Sequence, residues 1–342
     1  MANSIFDADK YAEQTFKAVN ALFDYPTAGV VQTVDTITEI VDGIVEAKYY
    51  TVDGTLSDYI NIDASGRGAY AGEIFQFTGA YVGSPFKQCI INPASTGIHN
   101  DATADIAVDG IRTPNNFYRQ KYSISQEGLK MAAVNRVTFD LVEEKEKSRK
   151  KCWDLGLQDT LFEGLGDGKT FGLLNQPGVT VHTSLIPVAI QNMKTAQLKT
   201  FAGSALATAF ANSNYTIKPN RWLMPTDTFM ALGVPYGDTF GMPTVIEVLE
   251  NAFKQAGAPS DFRIVHSIYG DAAGTGGRGR HVFYNTDADN VIMLTPKPYT
   301  PHPLYAVGAL DMISDAEAQF TGVWLKRTGS MLYADEASEG SV

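Results

Sequence analysis

Cysteine is scarce in this chain. Its two copies, Cys89 and Cys152, stand far apart, with no CxxC and no Cys/His ligand spacing. That excludes a disulfide scaffold or a zinc ribbon and fits synthesis in a reducing cytoplasm. Cys152 falls inside a helical pattern and reads as a small apolar packer. The five histidines, His99, His182, His266, His281 and His302, are scattered, with no HExxH and no GxSxG. Metal and nucleophile chemistry therefore lack their usual donors. No pair of carboxylates is isolated in an apolar setting as an acid/base couple would be. Long apolar runs are missing too. The longest stretch free of Asp, Glu, Lys, Arg and His, Thr200–Ile217, is broken by Gly203, Ser204, Asn212, Ser213 and Asn214, which rules out a membrane span there. The opening MANSIFDADKYAEQTF is acidic and has no apolar core, so no signal peptide is expected.

Positive charge is scarce at one end. Residues 1–110 hold 15 acidic and 5 basic side chains, residues 111–180 hold 9 and 11, and residues 181–342 hold 14 and 11, which sums to −11. An acidic chain is poorly suited to tight, salt-sensitive nucleic-acid binding. The asymmetry has two readings. One is a solvated acidic surface. The other is an acidic N-terminal arm and loop lying on the basic middle of a neighbouring subunit.

The chain has 342 residues, 44% of them hydrophobic, enough for one large or two ordinary domains. Tyr11, Phe16, Val19, Leu22 and Phe23 suggest a short amphipathic helix ended by Pro26 and Gly29, then an irregular arm. Residues 30–122 are β-branched, aromatic and rich in turn signals. Strands are predicted at Val45–Val52 and Glu73–Tyr81, with a mobile Gly/Ala-rich loop tip at Asn61–Gly72. Ser123 with Gln126, and Asp140 with Glu143, are predicted helix starts. The pattern from Val134 to Phe162 predicts one helix of about 43 Å.

Eight of the nine residues from Glu143 to Lys151 are charged, and Glu143–Lys147 and Glu146–Lys150 are spaced as i,i+4 pairs. The pattern then stops at Gly164, Gly166 and Gly168. Beyond residue 185 it is mixed. Helices are expected at Ala189–Ala211, after Pro225 and at Val245–Gln255. Strands are expected at Trp222–Met224, Phe262–Tyr269, His281–Asn285 and Val291–Thr295. Pro296, Pro298, Pro301 and Pro303 predict a stiff connector, and Gln319–Tyr333 one long strand or hairpin. Trp153, Trp222 and Trp324 sit in apolar runs and read as core or interface anchors.

Two motifs invite chemistry. Gly274-Thr-Gly276-Gly-Arg-Gly279 has GxGxxG spacing, but a strand pattern follows it and no acid occurs from 290 to 310. A dinucleotide site needs a helix and a ribose-binding acid. A flexible loop that leaves Arg278 and Arg280 for contacts is the plainer reading. Asp287-Ala-Asp289-Asn290 reads as a hairpin turn rather than a calcium loop.

The order of segments resembles the major capsid proteins of tailed bacteriophages, with the Hong Kong 97 type of fold. The strand Tyr118–Ile124 leads into Ser125-Gln126-Glu127-Gly128-Leu129 and then the long helix. Gly166-Asp167-Gly168 and Gly172-Leu173-Leu174-Asn175-Gln176-Pro177-Gly178 follow. The resemblance implies an α+β capsid fold in five parts. These are an N-terminal arm at 1–44, an extended β-hairpin loop at 45–122, and a peripheral domain with its spine helix at 123–184. An axial domain follows at 185–310, with Gly270–Gly279 as a candidate capsomer centre. A C-terminal strand at 311–342 returns to the peripheral domain and ends in an acidic tail.

It also implies a non-enzymatic shell protein, without cofactor or metal, assembling with itself as hexamers and pentamers around double-stranded DNA bound without sequence specificity. Separate scaffold, portal and decoration proteins are the further partners implied, with no membrane, in a virion made in the host cytoplasm. The N-terminal part is too short for the fused scaffold some relatives carry, which implies a separate scaffold or none, and no Lys–Asn crosslink pair aligns. The subunit-interface candidates are Glu143, Glu144, Lys147, Arg149, Lys150, Lys151, Arg278 and Arg280. A nanocompartment shell of the same fold, and a nucleotide-binding enzyme using Gly274–Gly279, are the rival readings.

Overall fold

The computed structural model describes residues 48–83, 104–127, 130, 141–186, 190, 193, 195–235, 243–308 and 310–336. The expected helix before Pro26, the strand residues Val45–Ala47, the start at Asp140, and His99 and Cys89 lie outside them.

A one-turn helix, α1 (Leu56–Tyr59), leads into β1 (Asn61–Asp63), and then β2 (Glu73–Gly83) and β3 (Ala104–Pro114) form a long two-stranded ribbon. Residues 48–52 are not a strand. The Asn61–Gly72 segment is not a loop tip either. Its first residues pair with a buried strand, and its end is clamped at the ribbon's base. There Tyr70 N–H donates to Gln319 Oε1 at 2.8 Å, and Asn115 Nδ2 donates to the Ala71 carbonyl at 2.8 Å.

Strand β4 (Asn116–Ser125) follows, then the long helix α2 (Leu141–Phe162). Ser123 belongs to the ladder of β4, so it caps nothing, and helical residues begin at Gln126. The stretch before Leu141 that would extend α2 lies outside the described residues. After α2 come β5 (Thr180–Ile186), α3 (Thr195–Asn212), β6 (Arg221–Pro225), α4 (Thr226–Leu232), α5 (Val245–Gln255), β7 (Arg263–Ser267), β8 (Arg280–Tyr284) and β9 (Val291–Leu294). The chain closes with β10 (Lys297–Pro301), β11 (Tyr305–Ala306), β12 (Asp311–Phe320), β13 (Val323–Leu325) and β14 (Met331–Glu336).

Two bodies of core result. A mixed sheet in the order β5-β14-β8-β6-β7 buries Trp222, Phe283, Phe253 and Phe262 against α3 and α5. Trp222 and Phe283 stack at 5.1 Å. The second core gathers Trp153, Phe162, Leu173, Tyr284, Phe320 and Tyr333 between α2 and the strands. Here β4 and β12 pair antiparallel over ten residues, from Asn116↔Phe320 to Ser125↔Asp311.

Three expectations change. The Gln319–Tyr333 segment is not one strand: β12, β13 and β14 serve three different sheets, and a turn at Thr328–Ser330 redirects the last of them. The proline connector contains β10, an edge strand, where a missing N–H is tolerated, with a register shift between Lys297 and Thr300. The Asp287–Asn290 turn joins strands of two separate sheets rather than a hairpin.

Candidate subunit interface

Helix α2 changes character along its length. Its C-terminal half buries Trp153, Leu155, Gln158, Leu161 and Phe162. Its N-terminal half buries one side chain, Arg149. The guanidinium donates to the Ser314 carbonyl oxygen at 2.9 Å, to Ser314 Oγ at 3.1 Å and to the Tyr299 hydroxyl at 3.0 Å. It also pairs with Glu146 and lies over the Tyr122 ring at 4.6 Å. Arg149 is therefore an internal pin between helix and sheet, not an interface residue. A run of charges does not reveal which member turns inward.

The outer charges pair as follows. Lys147 meets Glu144 at 2.8 Å and Glu143 at 3.1 Å, so one expected i,i+4 pair forms. Glu146–Lys150 does not form, because Glu146 is held by Arg149 and Tyr299, and Lys150 pairs with Asp154 at 2.8 Å. Lys151 is exposed, and so is Cys152, which is no packer.

The turn after α2 finishes the helix with backbone donors from downstream. Leu173 N–H donates to the Leu161 carbonyl at 2.7 Å and Leu174 N–H to that of Phe162 at 3.0 Å. Asn175 Nδ2 donates to the Glu163 carbonyl at 2.6 Å, while its Oδ1 accepts from Gly172 N–H at 2.7 Å. These bonds satisfy carbonyls a helix end leaves open. They explain the Gly-Leu-Leu-Asn run: a Cβ on Gly172 would stand 2.3 Å from the Phe162 carbonyl oxygen. At the same helix end, burial and the neighbouring Asp159 push the Glu163 carboxyl up to about 7.

The Gly274–Gly279 loop opens no helix and enters β8. Thr275 donates through N–H at 2.8 Å and Oγ1 at 2.7 Å to Asp335, so both of its donors are taken by the chain's own carboxylate. Arg280 is turned inward, pairing with Asp335 at 2.8 Å, donating to the Leu174 carbonyl at 2.8 Å and lying over Tyr333 at 4.7 Å. Like Arg149, it is not available to a neighbour. Arg278 stays exposed beside the Glu336 carbonyl. Buried His281 accepts from the Trp222 indole at Nδ1 (3.3 Å), so Nε2 carries the proton and donates to Glu336 at 3.0 Å. Burial lowers its basicity and keeps the ring neutral.

The surface that sequence reasoning missed is one face of the β2–β3 ribbon. Opposed residues share a face, so Phe75, Phe77, Val108 and Ile106 lie together, and Asp105 and Asp109 lie on the reverse. Phe77 is 73% exposed, Val108 57% and Ile106 50%. Phe75 and Phe77 meet edge-to-face at 4.8 Å, and the Phe75 ring fills the space over Gly110. At the ribbon's base it is the reverse face that is covered, where Ile74 and Ile111 pack against Ile292, Leu294 and Trp324. The signal was present in the alternation of Asp105-Ile106-Ala107-Val108-Asp109, in a segment too turn-rich to give a register.

A family model described as major capsid protein matches residues 96–336. The chain belongs to the major capsid protein family. As such it is a structural subunit of a capsid shell, and its place is the virion. Solved structures share the α+β fold. The capsid of Myoviridae phage XM1 aligns at TM-score 0.72 and 13% identity, over 92% of this chain and 99% of that one. The capsid of the native GTA particle aligns at 0.56 and 10%, over 92% and 99%. Mycobacterium phage Cain gives 0.54 and 11%, over 93% and 100%. No curated protein sequence matches the chain. Among the described residues of this capsid protein, no group of three or more His, Cys, Asp or Glu could hold a metal ion. No helix among them is long and apolar enough to cross a membrane.

Proposed function

We propose that the subunits dock through the apolar face of the β2–β3 ribbon, closing into rings of five and six that tile an icosahedral shell around double-stranded DNA. The observation that carries this reading is the Phe77, Val108 and Ile106 face, patterned as an inside but left without a cover by the subunit's described residues. A two-stranded ribbon is marginal in water by itself, and burying its apolar face on a second copy stabilises both. Each fully buried Phe or Val contributes roughly 1.5–3 kcal/mol. Such contacts are heterologous and close into rings.

In this reading residues 1–44 are an arm, 45–122 carry the extended hairpin, and 123–184 with the returning β12 form the peripheral part. Residues 185–310 form most of the axial part, joined there by β14. The exposed Lys147, Lys150 and Lys151 border the seat of a neighbour's acidic loop, which presents Asp105 and Asp109. Glu143 and Glu144 set the register, and Arg278 contacts a neighbour in the axial part. The role is assembly without turnover. DNA is enclosed rather than read, and the scaffold, portal and decoration proteins are separate chains. Synthesis is in the host cytoplasm. The test is Phe77→Asp in the purified chain. Sedimentation should show subunits that fold but no longer form shells, and shells in normal yield would overturn the docking face.

A further inference from the structure

Two half-buried carboxylates stand at the C-terminal end of α2 with no cation beside them among the described residues. Glu163 N–H donates to the Asp159 carbonyl at 2.8 Å, so the helical turn runs on past Phe162 and the two side chains share one face, one turn apart. Asp159 Oδ1 is buried and has no hydrogen-bond partner among the described residues. Elsewhere the subunit pairs its covered acids. Asp335 meets Arg280, Glu336 meets His281 and Glu146 meets Arg149. At the helix end burial alone acts on Asp159 and raises its carboxyl, while burial and then Asp159 bring Glu163 up to about 7. The negative end of the helix dipole disfavours a second ionisation further.

The entering chain is fastened beside this pair. Gln158 donates through Nε2 to the Tyr50 carbonyl at 3.3 Å and accepts from Val52 N–H at 3.1 Å. The same Nε2 donates to the Tyr269 hydroxyl at 3.2 Å. The Tyr269 ring stacks on Phe162 at 5.0 Å and meets Tyr50 edge-on at 6.2 Å. Tyr269 also faces both carboxylates, since burial, with Asp159 and Glu163 adding to it, pushes its hydroxyl up to about 12. Behind it stand Tyr50 and then Asp53, whose carboxylate accepts from His266 Nε2 at 2.9 Å. The groups packed toward the pair are thus two phenols and an acid, and the imidazole beyond them is engaged by that acid.

We propose that Asp159 and Glu163 form a proton-operated latch on the entering chain. While the pair carries a single charge, Tyr50–Asp53 stays clamped to α2. When the second carboxyl ionises, the two charges repel each other and the helix end. Lifting the Tyr50–Tyr269 cover relieves this by letting water reach them. Glu163 holds its proton more tightly in the latched state, so the latch is firm below pH 4.5 and weakens as pH rises through 7. The chain before residue 48 joins the described fold through this segment, so the latch sets how firmly that junction is held.

Hydrogen exchange of the full-length, unassembled protein, corrected for the intrinsic pH dependence of exchange, tests this. Protection of the Val52 amide and its neighbours in Tyr50–Asp53 should fall about tenfold between pH 5 and pH 8, while β6 and β8 keep theirs. Glu163→Gln should abolish the fall. Asp159→Asn, which removes the repelling neighbour, should move its midpoint to lower pH. No fall in the unaltered protein would overturn the latch. An undiminished fall in Glu163→Gln would overturn it as well and assign the response to the His266–Asp53 pair. If Glu163→Gln does not fold, Asp159→Asn decides alone, and an unmoved midpoint overturns the proposal.

Discussion

Arg149 donates to the Ser314 carbonyl oxygen at 2.9 Å, across 165 positions of sequence, and so ties the charged half of α2 to the middle of β12. The same guanidinium reaches Tyr299 on β10 and covers Tyr122 on β4. One side chain thus holds a helix to three strands.

Removing it should unfold rather than merely disarm the subunit. Arg149→Ala is expected to lower stability by roughly 2–4 kcal/mol, between the loss of ordinary buried hydrogen bonds and that of a buried ion pair. Urea unfolding followed by tryptophan fluorescence measures it. A loss near zero, with assembly alone impaired, would mean Arg149 faces a neighbour after all.

The glycines after α2 should differ in a set order. Gly172→Ala forces a methyl against the Phe162 carbonyl at 2.3 Å and is expected to cost about 3 kcal/mol or more. Gly166 has φ +69° with nothing within 4 Å of an added Cβ, so its alanine variant should cost only about 1–2 kcal/mol of backbone strain. Denaturation midpoints of the two variants check the order, and equal losses would contradict the packing account.

Stability should fall as pH rises through the range set by Glu163. Its carboxyl goes from the ordinary 4.5 up to about 7 in the folded chain, through burial and Asp159. The folded state therefore holds the proton more tightly than the unfolded one. The stability this contributes is present below pH 4.5 and lost as pH rises through 7. Glu163→Gln should be more stable than the unaltered protein at pH 8, by about 1 kcal/mol after allowing for partial exposure, and should not exceed it at pH 4.5. Melting temperatures at the two pH values decide it.

Reversing Lys147, Lys150 and Lys151 to Glu should impair assembly while leaving the fold. The in-chain pairs lost, with Glu143, Glu144 and Asp154, are exposed and worth roughly 0–1 kcal/mol each. Light scattering during assembly, beside circular dichroism of the subunit, separates the two effects. Normal shells would refute a role for these cations.

Much of this fold was legible where one local rule dominated. The helix expected at Val245–Gln255 is observed with those bounds, and the structure shows local reasons for them, a Thr244–Glu247 capping box at its start and a left-handed Gly257 just past its end. The buried strands around Trp222 and Val282 were legible as short apolar runs. The failures share a cause. Which face Arg149 and Arg280 adopt depends on Ser314 and Asp335, residues far along the chain that no local pattern connects. Splitting Gln319–Tyr333 into three strands likewise needs partners on β4, β9 and β8. The apolar ribbon face was hidden because its register comes from pairing β2 with β3, not from either strand alone.

The central claim is that this chain closes into a shell. Electron microscopy of the purified full-length protein under assembly conditions tests it most directly. The account predicts closed icosahedral particles built of five- and six-fold rings. A field of dispersed monomers, or of open filaments without closed particles, would contradict it.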